Sequence, residues 1–309
     1  MRQATIGISP VKSLRSRRLS TNGPPRKPGR FTMARSQWLE SLRRSHIVAP
    51  IMDDSRETGE PNTRLGLPTS WVFNEAIGGG QASFDEPLGE LSASDRVLLY
   101  AFFNQKSHVN ELVHAFEKLL TAPRDLNRAT VLDIGCGPFT SGLALAEVVG
   151  NAIPFRYFGV DTSQTMCTLG EKLAEGAKAA GGLSPETTAR FFSSTDDIDF
   201  DTPRSTWTIV VLSYLLASKS IDANVLVRQI ADACNRIGPG PVALLYTNTS
   251  RKEATVAYPA FEQAMTEAGF SVKIEDTEVL CLEGKERKLH YALFVRLGGR
   301  EIPLREFRR

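Results

Sequence analysis

The stretch of residues 129–149, ATVLDIGCGPFTSGLALAEVV, constrains the fold of this chain more than any other. Its short apolar run ends in Gly135-Cys136-Gly137-Pro138, and a segment with helical character follows at once. This order predicts a buried strand that turns tightly into a helix, the start of a βαβ unit. Glycine lets a ligand approach the backbone closely, and the helix that opens at Thr140 or Ser141 directs free N–H groups towards that ligand.

Three interpretations of this glycine-rich turn compete. A purely structural strand–helix turn is the simplest, because glycine turns are common. A nicotinamide or flavin site requires G-x-G-x-x-G, and Thr140 breaks that pattern. A nucleoside site gains weight from a second strand at residues 156–160, which ends at Asp161, 24 residues beyond Gly137. An acidic residue there can accept both ribose hydroxyls of a nucleoside that lies across the first turn.

The segments D-I-G-C-G-P and G-V-D-T-S together resemble motifs I and II of class I S-adenosylmethionine-dependent methyltransferases. The resemblance extends over roughly residue 129 to the C-terminus. It implies S-adenosyl-L-methionine as cofactor and an enzyme that transfers a methyl group to an O or N nucleophile. The implied fold is a Rossmann-like α/β sheet of seven mostly parallel strands with helices on both faces. Many members of the family carry a third glycine where this chain has Phe139, which implies a tighter backbone or a bulkier adenosine pocket.

The resemblance also implies where the cofactor is held. An acidic or polar residue after strand three reaches the adenine amino group in related enzymes, and Asp196 matches that position best, with Asp197 beside it. An Asp-rich turn explains both residues equally well. The expected cofactor-binding residues are Asp133, Gly135, Cys136, Gly137, Asp161, Thr162, Thr195, Asp196 and Ser213.

Three side chains are candidates for a general base, which is needed only when the pKa of the nucleophile lies well above ambient pH. They are His108, Tyr214 after strand four, and Tyr246 at the end of strand five. Tyr214 and His108 are the predicted catalytic residues. The competing interpretation is a packing histidine and core tyrosines, and the sequence shows no triad partner for any of them.

Apolar runs place the later elements of the predicted sheet. Strands are expected at residues 189–193, 207–212, 241–246, 270–275 and 289–295, and helices at residues 221–237 and 257–268. The unbroken apolar run at 207–212 indicates a strand buried on both faces. The seventh strand is expected to insert antiparallel near one edge.

The N-terminal part of the chain is strongly basic. Residues 1–46 hold eleven Lys or Arg and one acid, whereas the remainder holds 26 basic and 34 acidic residues. We predict a disordered leader at 1–46, because it has too little apolar surface to fold alone. A solvated tail, a polyanion-binding arm, a transit peptide, and translation that starts at Met33 or Met52 all remain open. A short basic helix is also predicted at residues 36–51.

Between the leader and the predicted cofactor domain at 126–300 we expect two further segments. Residues 47–90 are rich in Gly and Pro, which predicts an irregular linker. Trp71 and Phe73 in this linker are expected to pack on the domain, and the alternative is that they close over the active site. The apolar pattern of residues 91–125 predicts a lid of two helices. The joint between them, at 104–108, is predicted to be a solvated loop, and the alternative is that its polar groups face the cleft. We expect residues 301–309 to form a C-terminal tail.

Composition narrows the compartment and the partners. The four cysteines are scattered without metal-ligand spacing, which favours reduced thiols, a cytoplasmic location and no metal site. No apolar run approaches the ~18 residues of a membrane span, so no membrane partner is expected.

The acceptor substrate is the least constrained part of the prediction. The N-P-P-Y or D-P-P-Y tetrapeptide, typical of enzymes that methylate exocyclic base amines, is replaced by L-S-Y-L after strand four. The acidic folded region argues against a broad phosphate-binding face. A small-molecule substrate therefore ranks first, and RNA bound through residues 1–46 ranks second. A non-catalytic methyltransferase-like binding protein is the third hypothesis, and the oligomeric state is not predicted.

Overall fold

The computed structural model describes residues 36–119, 126–218, 220–282 and 285–298. The described part begins with helix α1 (Gln37–Arg43), a π-helical turn (Arg44–Val48) and helix α2 (Ala49–Met52). The basic helix predicted at 36–51 is confirmed. The leader boundary at residue 46 is wrong, because Leu39 and Leu42 are buried in the apolar core. The predicted disorder of residues 1–35 and the predicted tail at 301–309 lie outside the described residues.

The predicted linker contains short regular elements. Strands β1 (Thr63–Arg64) and β2 (Leu67–Pro68) form an antiparallel pair, and helix α3 (Thr69–Trp71) leads into a π-helical turn at Val72–Ala76. Trp71 and Phe73 remain 36% and 41% exposed, so the two aromatics are not buried in the core, although the Phe73 ring packs edge-on against Phe103 with a centroid distance of 6.5 Å. The smaller Val72 is buried in their place, because the turn points it towards the core.

The two helices of the predicted lid are continuous. Helix α4 (Ala93–Tyr100) starts at a capping box made by Ser92 and Asp95, passes through a π-helical turn at Ala101–Gln105, and continues as α5 (Lys106–Leu119). The solvated loop predicted at 104–108 is therefore wrong. The π-turn absorbs one extra residue, which shifts the apolar stripe without breaking the helix.

A seven-stranded sheet forms the centre of the fold, with the order β5-β4-β3-β6-β7-β9-β8. Neighbouring strands from β5 to β7 pair in parallel, and β9 pairs antiparallel with both β7 and β8. This confirms the Rossmann-like class and the antiparallel seventh strand. The strands are β3 (Thr130–Ile134), β4 (Arg156–Val160), β5 (Thr188–Phe192), β6 (Thr208–Ser213), β7 (Val242–Thr249), β8 (Ser271–Leu282) and β9 (Lys285–Arg296).

Helices cover both faces of the sheet and divide the core into two apolar clusters. One face carries α5, α6 (Thr140–Val149) and α7 (Gln164–Ala179), and the other carries α8 (Ala223–Ile237) and α9 (Tyr258–Glu267). Because α5 packs against α6 and three strands, the segment predicted as a lid is part of the domain core. Over the described ranges, no helix is both long and apolar enough to cross a bilayer.

Candidate functional site

The turn after β3 is held rigidly at the carboxyl end of the sheet, where ligands bind in open α/β folds. Gly135 and Gly137 adopt left-handed φ angles of 74° and 52°. The backbone N–H groups of Gly135 and Cys136 both donate to the carbonyl of Val160, at 2.8 and 3.0 Å. A Cβ atom added at Gly137 would meet only the Tyr100 ring, at an ordinary contact distance of 3.9 Å, so the space beside this residue is open to a ligand.

Asp133 lies beneath this turn. It is buried, and one of its carboxylate oxygens accepts hydrogen bonds from the hydroxyls of Ser141 and Tyr157, the latter at 2.6 Å. Burial raises its pKa to about 6, while the two hydroxyl donors act in the opposite direction. The structure therefore places this predicted cofactor residue as a support that fixes the start of α6 against β3.

Phe139, the departure from the family pattern, points away from the open surface of the turn. Its backbone is left-handed, with φ 64° and ψ 26°, a conformation that favours glycine. Its ring is fully buried, with centroids 4.7 Å from Tyr157 and 5.9 Å from Phe191. The expected bulkier adenosine pocket is wrong on this point, because the ring fills the core under Gly142, where a Cβ atom would overlap it.

Asp161 joins the end of β4 to the glycine turn. One carboxylate oxygen accepts the N–H of Gly137 at 2.9 Å, and the other accepts the N–H of Ser163 at 2.9 Å. Burial raises the pKa of this carboxyl, although both backbone donors favour its ionised form. Each oxygen retains a second lone pair, so the partly exposed carboxylate can still accept hydroxyl groups of a ligand.

Two residues of the α4–α5 helix complete this side of the site, and the sequence analysis missed their roles. Gln105 is buried and donates its side-chain amide to the carbonyl of Pro138 at 2.7 Å, which fixes the glycine turn from above. Tyr100 lies beside Gly137, and the ring of Phe84 packs edge-on against it at 5.4 Å. The π-helical turn at Ala101–Gln105 follows Tyr100 and ends at Gln105, and the apolar pattern of the sequence does not predict this turn.

An N-terminal segment is fastened to the same edge of the sheet. The carboxylate of Asp85 accepts the hydroxyl of Ser163 at 2.8 Å and the N–H of Thr165 at 2.9 Å, so it adds an acceptor at the start of α7. The neighbouring Phe84 is buried against Tyr100. The segment predicted as linker thereby forms one wall beside the Asp161 carboxylate.

A second group of polar side chains meets at the end of β6. The hydroxyl of Tyr214 donates to the Glu111 carboxylate at 2.8 Å, and the Tyr214 ring stacks on His108 with a centroid distance of 4.2 Å. Arg287 approaches the other oxygen of Glu111 at 3.8 Å. The structure thus brings both predicted catalytic residues together and adds a buried acid, Glu111, that the sequence analysis missed.

Burial sets the protonation states in this group. It raises the pKa of Glu111 to about 7, against the opposing effects of the Tyr214 hydrogen bond and of Arg287. It also lowers the pKa of His108 to about 4, with a further contribution from Arg287, and raises that of Tyr214. At neutral pH the histidine and the tyrosine are neutral, and Glu111 is the group poised to gain or lose a proton.

Contacts of Leu215 and Tyr100 connect the two groups. Leu215, the residue after Tyr214, lies so close to Gly135 that a Cβ atom there would sit 2.9 Å from the leucine side chain. Tyr100, which borders Gly137, is also near enough to Tyr214 to raise its pKa. The glycine turn and the Glu111–Tyr214 pair therefore line one continuous region.

The other predicted residues are distributed around this region. The Ser213 hydroxyl accepts from Thr247 at 3.0 Å, and Cys136 directs its buried thiol under the turn, 3.3 Å from the Gly137 carbonyl. Thr162 is exposed. Thr195 is buried in a 3₁₀ turn whose carbonyl accepts Arg236 at 2.8 Å. Asp196 and Asp197 on the same turn are exposed.

Tyr246 is not brought together with the other base candidates. Its ring is buried in the apolar cluster on the α8–α9 face, with its centroid 4.8 Å from Tyr258 and 5.4 Å from His290. Its position agrees with the core interpretation of this residue. In the described part of the chain, no cluster of three or more His, Cys, Asp or Glu residues could hold a metal ion.

Among the residues that the structure describes, three buried polar atoms at and around the turn have no hydrogen-bond partner. They are Asn104 Nδ2, Asp133 Oδ1 and Thr140 Oγ1. A buried polar atom left unpaired costs about 1–3 kcal/mol, so such atoms concentrate where a ligand or water completes the structure. Together with the open face of Gly137 and the spare lone pairs of Asp161, they fit a polar, nucleoside-like ligand.

A scan against protein-family models finds no match, and a search of curated proteins finds none either. Among solved structures, magnesium protoporphyrin IX methyltransferase from Synechocystis PCC 6803, with bound S-adenosylmethionine, is 14% identical with a TM-score of 0.37, over 73% of this chain and 95% of that chain. A S-adenosylmethionine-dependent methyltransferase from Leishmania major is 13% identical with a TM-score of 0.42, over 77% and 94%.

An arsenic(III) S-adenosylmethionine methyltransferase from Chlamydomonas reinhardtii is 14% identical, with a TM-score of 0.39, over 62% of this chain and 74% of that chain. Likenesses this distant assign neither a substrate nor a reaction. The function is therefore argued from the residues of the site.

Proposed function

We propose that this protein is a S-adenosyl-L-methionine-dependent methyltransferase that modifies an O–H or N–H group of a small molecule. The observation that carries the proposal is the hydrogen bond between Asp161 and the N–H of Gly137. It joins the glycine turn after β3 to the acid after β4, and these are the two segments that resemble motifs I and II.

The residues around the turn fit this cofactor. Asp161 would accept the ribose hydroxyls with its spare lone pairs, and Gly137 would let the cofactor approach the backbone. Thr140 and Asn104 carry buried polar atoms that a polar ligand would satisfy. Asp133 and Gln105 would act through the turn, since each fixes one side of it.

When bound, the cofactor supplies a methyl group that its sulfonium already activates towards an in-line nucleophile. The chain's main contribution is then to hold the nucleophile in place and to exclude water, which can lower a barrier by about 7–11 kcal/mol. Leu215 and Tyr100 line the space between the turn and Tyr214, so apolar surface borders the region where the two reactants would meet.

Glu111 would take the proton that the nucleophile loses. The neutral Tyr214 hydroxyl already donates to this carboxylate at 2.8 Å. A hydroxyl of the methyl acceptor would donate a hydrogen bond to Tyr214 Oη. During the reaction this hydroxyl would transfer its proton to Tyr214 Oη, while Tyr214 transfers its own hydroxyl proton to Glu111. The proton ends on a carboxyl whose pKa burial has raised to about 7, and it then returns to water.

His108 would position Tyr214 and would not act as the base. Burial lowers its pKa to about 4, so it is a poor proton acceptor near neutral pH. Its ring stacks on Tyr214 with an interplanar angle of 19°, which limits rotation of the phenol.

We extend the proposal to a cytoplasmic location, which four free cysteines support because thiols persist in reducing compartments.

Calorimetric titration of the full chain with S-adenosyl-L-methionine and S-adenosylhomocysteine tests the proposal. We expect micromolar binding by the wild type and a loss of about tenfold or more in Asp161→Ala, because unpaired ribose hydroxyls cost binding energy. Glu253→Ala, at an exposed acid, is the matched control and should bind as the wild type does.

Asp161→Asn guards against a simple folding defect, because its side-chain oxygen can still accept one backbone N–H. We expect it to unfold between the temperatures of Asp161→Ala and the wild type, because one of the two backbone N–H groups loses its acceptor, and to bind the cofactor more weakly than the wild type. Failure of the folded wild type to bind either compound would overturn the proposal. Equal binding by the wild type and Asp161→Ala would remove Asp161 from the site.

A further inference from the structure

A basic groove lies at the opposite edge of the sheet from the glycine turn. It is lined by residues at the amino ends of β3, β4 and β5 and in the loop after β5, and encloses about 520 Å³. Four of its lining residues are arginines: Arg128, Arg156, Arg190 and Arg204. Strand β3 has five residues, so this edge is separated from the candidate active site by about 16 Å of strand.

The carboxylates in the groove do not balance the four guanidinium groups. Asp201 is shared between Arg156 at 2.8 Å and Arg190 at 3.2 Å. Glu186 lies 3.7 Å from Arg128, but these side chains are 70% and 67% exposed, so solvent weakens the pair. The groove therefore carries two more positive than negative charges, in a chain whose residues after 46 are net acidic.

Arg204 is the arginine with the least compensation. Its buried Nε atom finds no hydrogen-bond partner in the described part of the chain. Burial lowers the pKa of Arg156, and the neighbouring charge of Arg204 lowers it further. Like charges held this close destabilise the fold unless an anion joins them.

Two of the arginines are fixed in place before any ligand binds. Arg156 donates to the carbonyl of Phe200 at 2.7 Å, and Arg190 donates to that of Asp199 at 3.1 Å. Both guanidinium groups lie on the Phe158 ring, at 5.1 and 4.7 Å from its centroid. Asp201, which pairs with both, adopts a left-handed φ of 59°. A preorganised set of donors loses little entropy when it binds an anion.

We propose that this groove is a binding site for phosphate groups, separate from the proposed methyl-transfer site. Guanidinium groups match phosphate oxygens in pairs of parallel hydrogen bonds, and four of them around one groove favour a doubly charged anion or adjacent phosphates. A small phosphate compound and the backbone of an RNA strand offer the same chemistry. The site accepts either source, and the experiment separates them.

The test measures binding to the full chain at constant ionic strength, with sodium chloride replacing the anion in the reference. The probes are pyrophosphate, adenosine monophosphate and a 12-nucleotide RNA. Because residues 1–35 carry nine further Lys or Arg, the decisive comparison is between variants. Arg128→Gln/Arg204→Gln removes the two least compensated charges, and Arg228→Gln, at an exposed position of α8, is the matched control.

We expect the double variant to bind a phosphate probe at least about tenfold more weakly than the wild type and the control. Without anion, its unfolding temperature should equal or exceed that of the wild type, because repulsion with Arg156 is relieved. An effect on pyrophosphate or the mononucleotide identifies a small-anion site, whereas an effect on RNA alone identifies a backbone site.

Two results would overturn the proposal. One is binding of every probe by the double variant with wild-type affinity, which would place the anion on the N-terminal basic residues. The other is no binding of any probe by the wild type. Arg128→Gln alone repeats the test should the double variant fail to fold.

Discussion

The glycine-turn side of the candidate site and its Tyr214 side are built in different ways. Asp161 and Gly137, which join on the first side, are 24 residues apart, whereas Tyr214 and Glu111 on the second are 103 residues apart. On the first side, Asp161 and Gln105 form hydrogen bonds to backbone groups at and beside the turn. The second leaves a buried carboxyl whose pKa is raised to about 7. Short-range order thus shapes the proposed cofactor surface, and long-range packing tunes the proposed chemistry.

The largest effect on stability is expected from a substitution that disrupts only the glycine-turn side. Gly142→Ala would place a methyl group within the buried ring of Phe139, so we expect a loss of about 3 kcal/mol in the free energy of unfolding. Phe139→Ala should remove the clash, although it leaves a cavity of its own. A double-mutant cycle measured by urea unfolding tests this. Additive losses would show that the two residues do not interact.

The second prediction concerns the Tyr214 side and the dependence of the free energy of unfolding on pH. Because the pKa of Glu111 is raised to about 7 from 4.5, the folded chain holds its proton where the unfolded chain has released it. The free energy of unfolding should therefore fall as pH rises from about 4.5 to about 7, by up to about 3 kcal/mol from this group.

Glu111→Gln is the variant that isolates this contribution, because Asp133 also titrates with a raised pKa in the wild type. Chemical unfolding at several pH values should give a smaller fall in Glu111→Gln than in the wild type. Parallel pH profiles would show that Glu111 titrates normally and would remove its proposed role.

The third prediction tests the contact between Tyr214 and Glu111. Tyr214→Phe keeps the stack on His108 but leaves the Glu111 carboxylate without its hydroxyl donor. We expect a loss of about 1–2 kcal/mol in stability near pH 7.5 and a further rise in the pKa of Glu111. A carboxyl infrared difference spectrum would follow that pKa directly. An unchanged titration would mean that the two groups are uncoupled.

The smallest effect is expected at the wall beside Asp161. The N-cap of α7 is Ser163, which accepts the N–H of Met166, and Asp85 adds an acceptor for the Thr165 N–H and the Ser163 hydroxyl. Asp85→Ala removes that additional acceptor, and we expect a loss of about 0.5–1 kcal/mol in thermal or urea unfolding. The exposed Glu86 next to it provides the control, as Glu86→Ala keeps that acceptor. Equal effects of the two substitutions would contradict this role of Asp85.

The same contrast explains what the sequence could predict. The positions of the strands and the turn at Gly135–Pro138 follow from apolar runs and glycines that lie close together in the chain, whereas the arrangement of the sheet is expected only from the family resemblance. From the sequence, Phe139 could be identified only as a residue that replaces a glycine. Its left-handed conformation and its burial could not be predicted, because they depend on contacts with Gly142, Tyr157 and Phe191 that form only in the folded chain.

Glu111 could not be identified from the sequence for a related reason. It lies on an amphipathic helix among apolar neighbours, and a single acidic residue in such a helix is expected on the solvent-exposed face. The π-helical turn at Ala101–Gln105 shifts the faces of that helix and helps bury Glu111 beside Tyr214. Local periodicity carries no record of such a shift.

A crystal structure of the chain with S-adenosylhomocysteine would test the two-sided site most directly. The account predicts that the ribose lies at Asp161, that the ligand crosses Gly137, and that the sulfur faces the Tyr214 side. A ligand bound elsewhere, or one that turns its sulfur away from Tyr214, would contradict the assignment of the two sides.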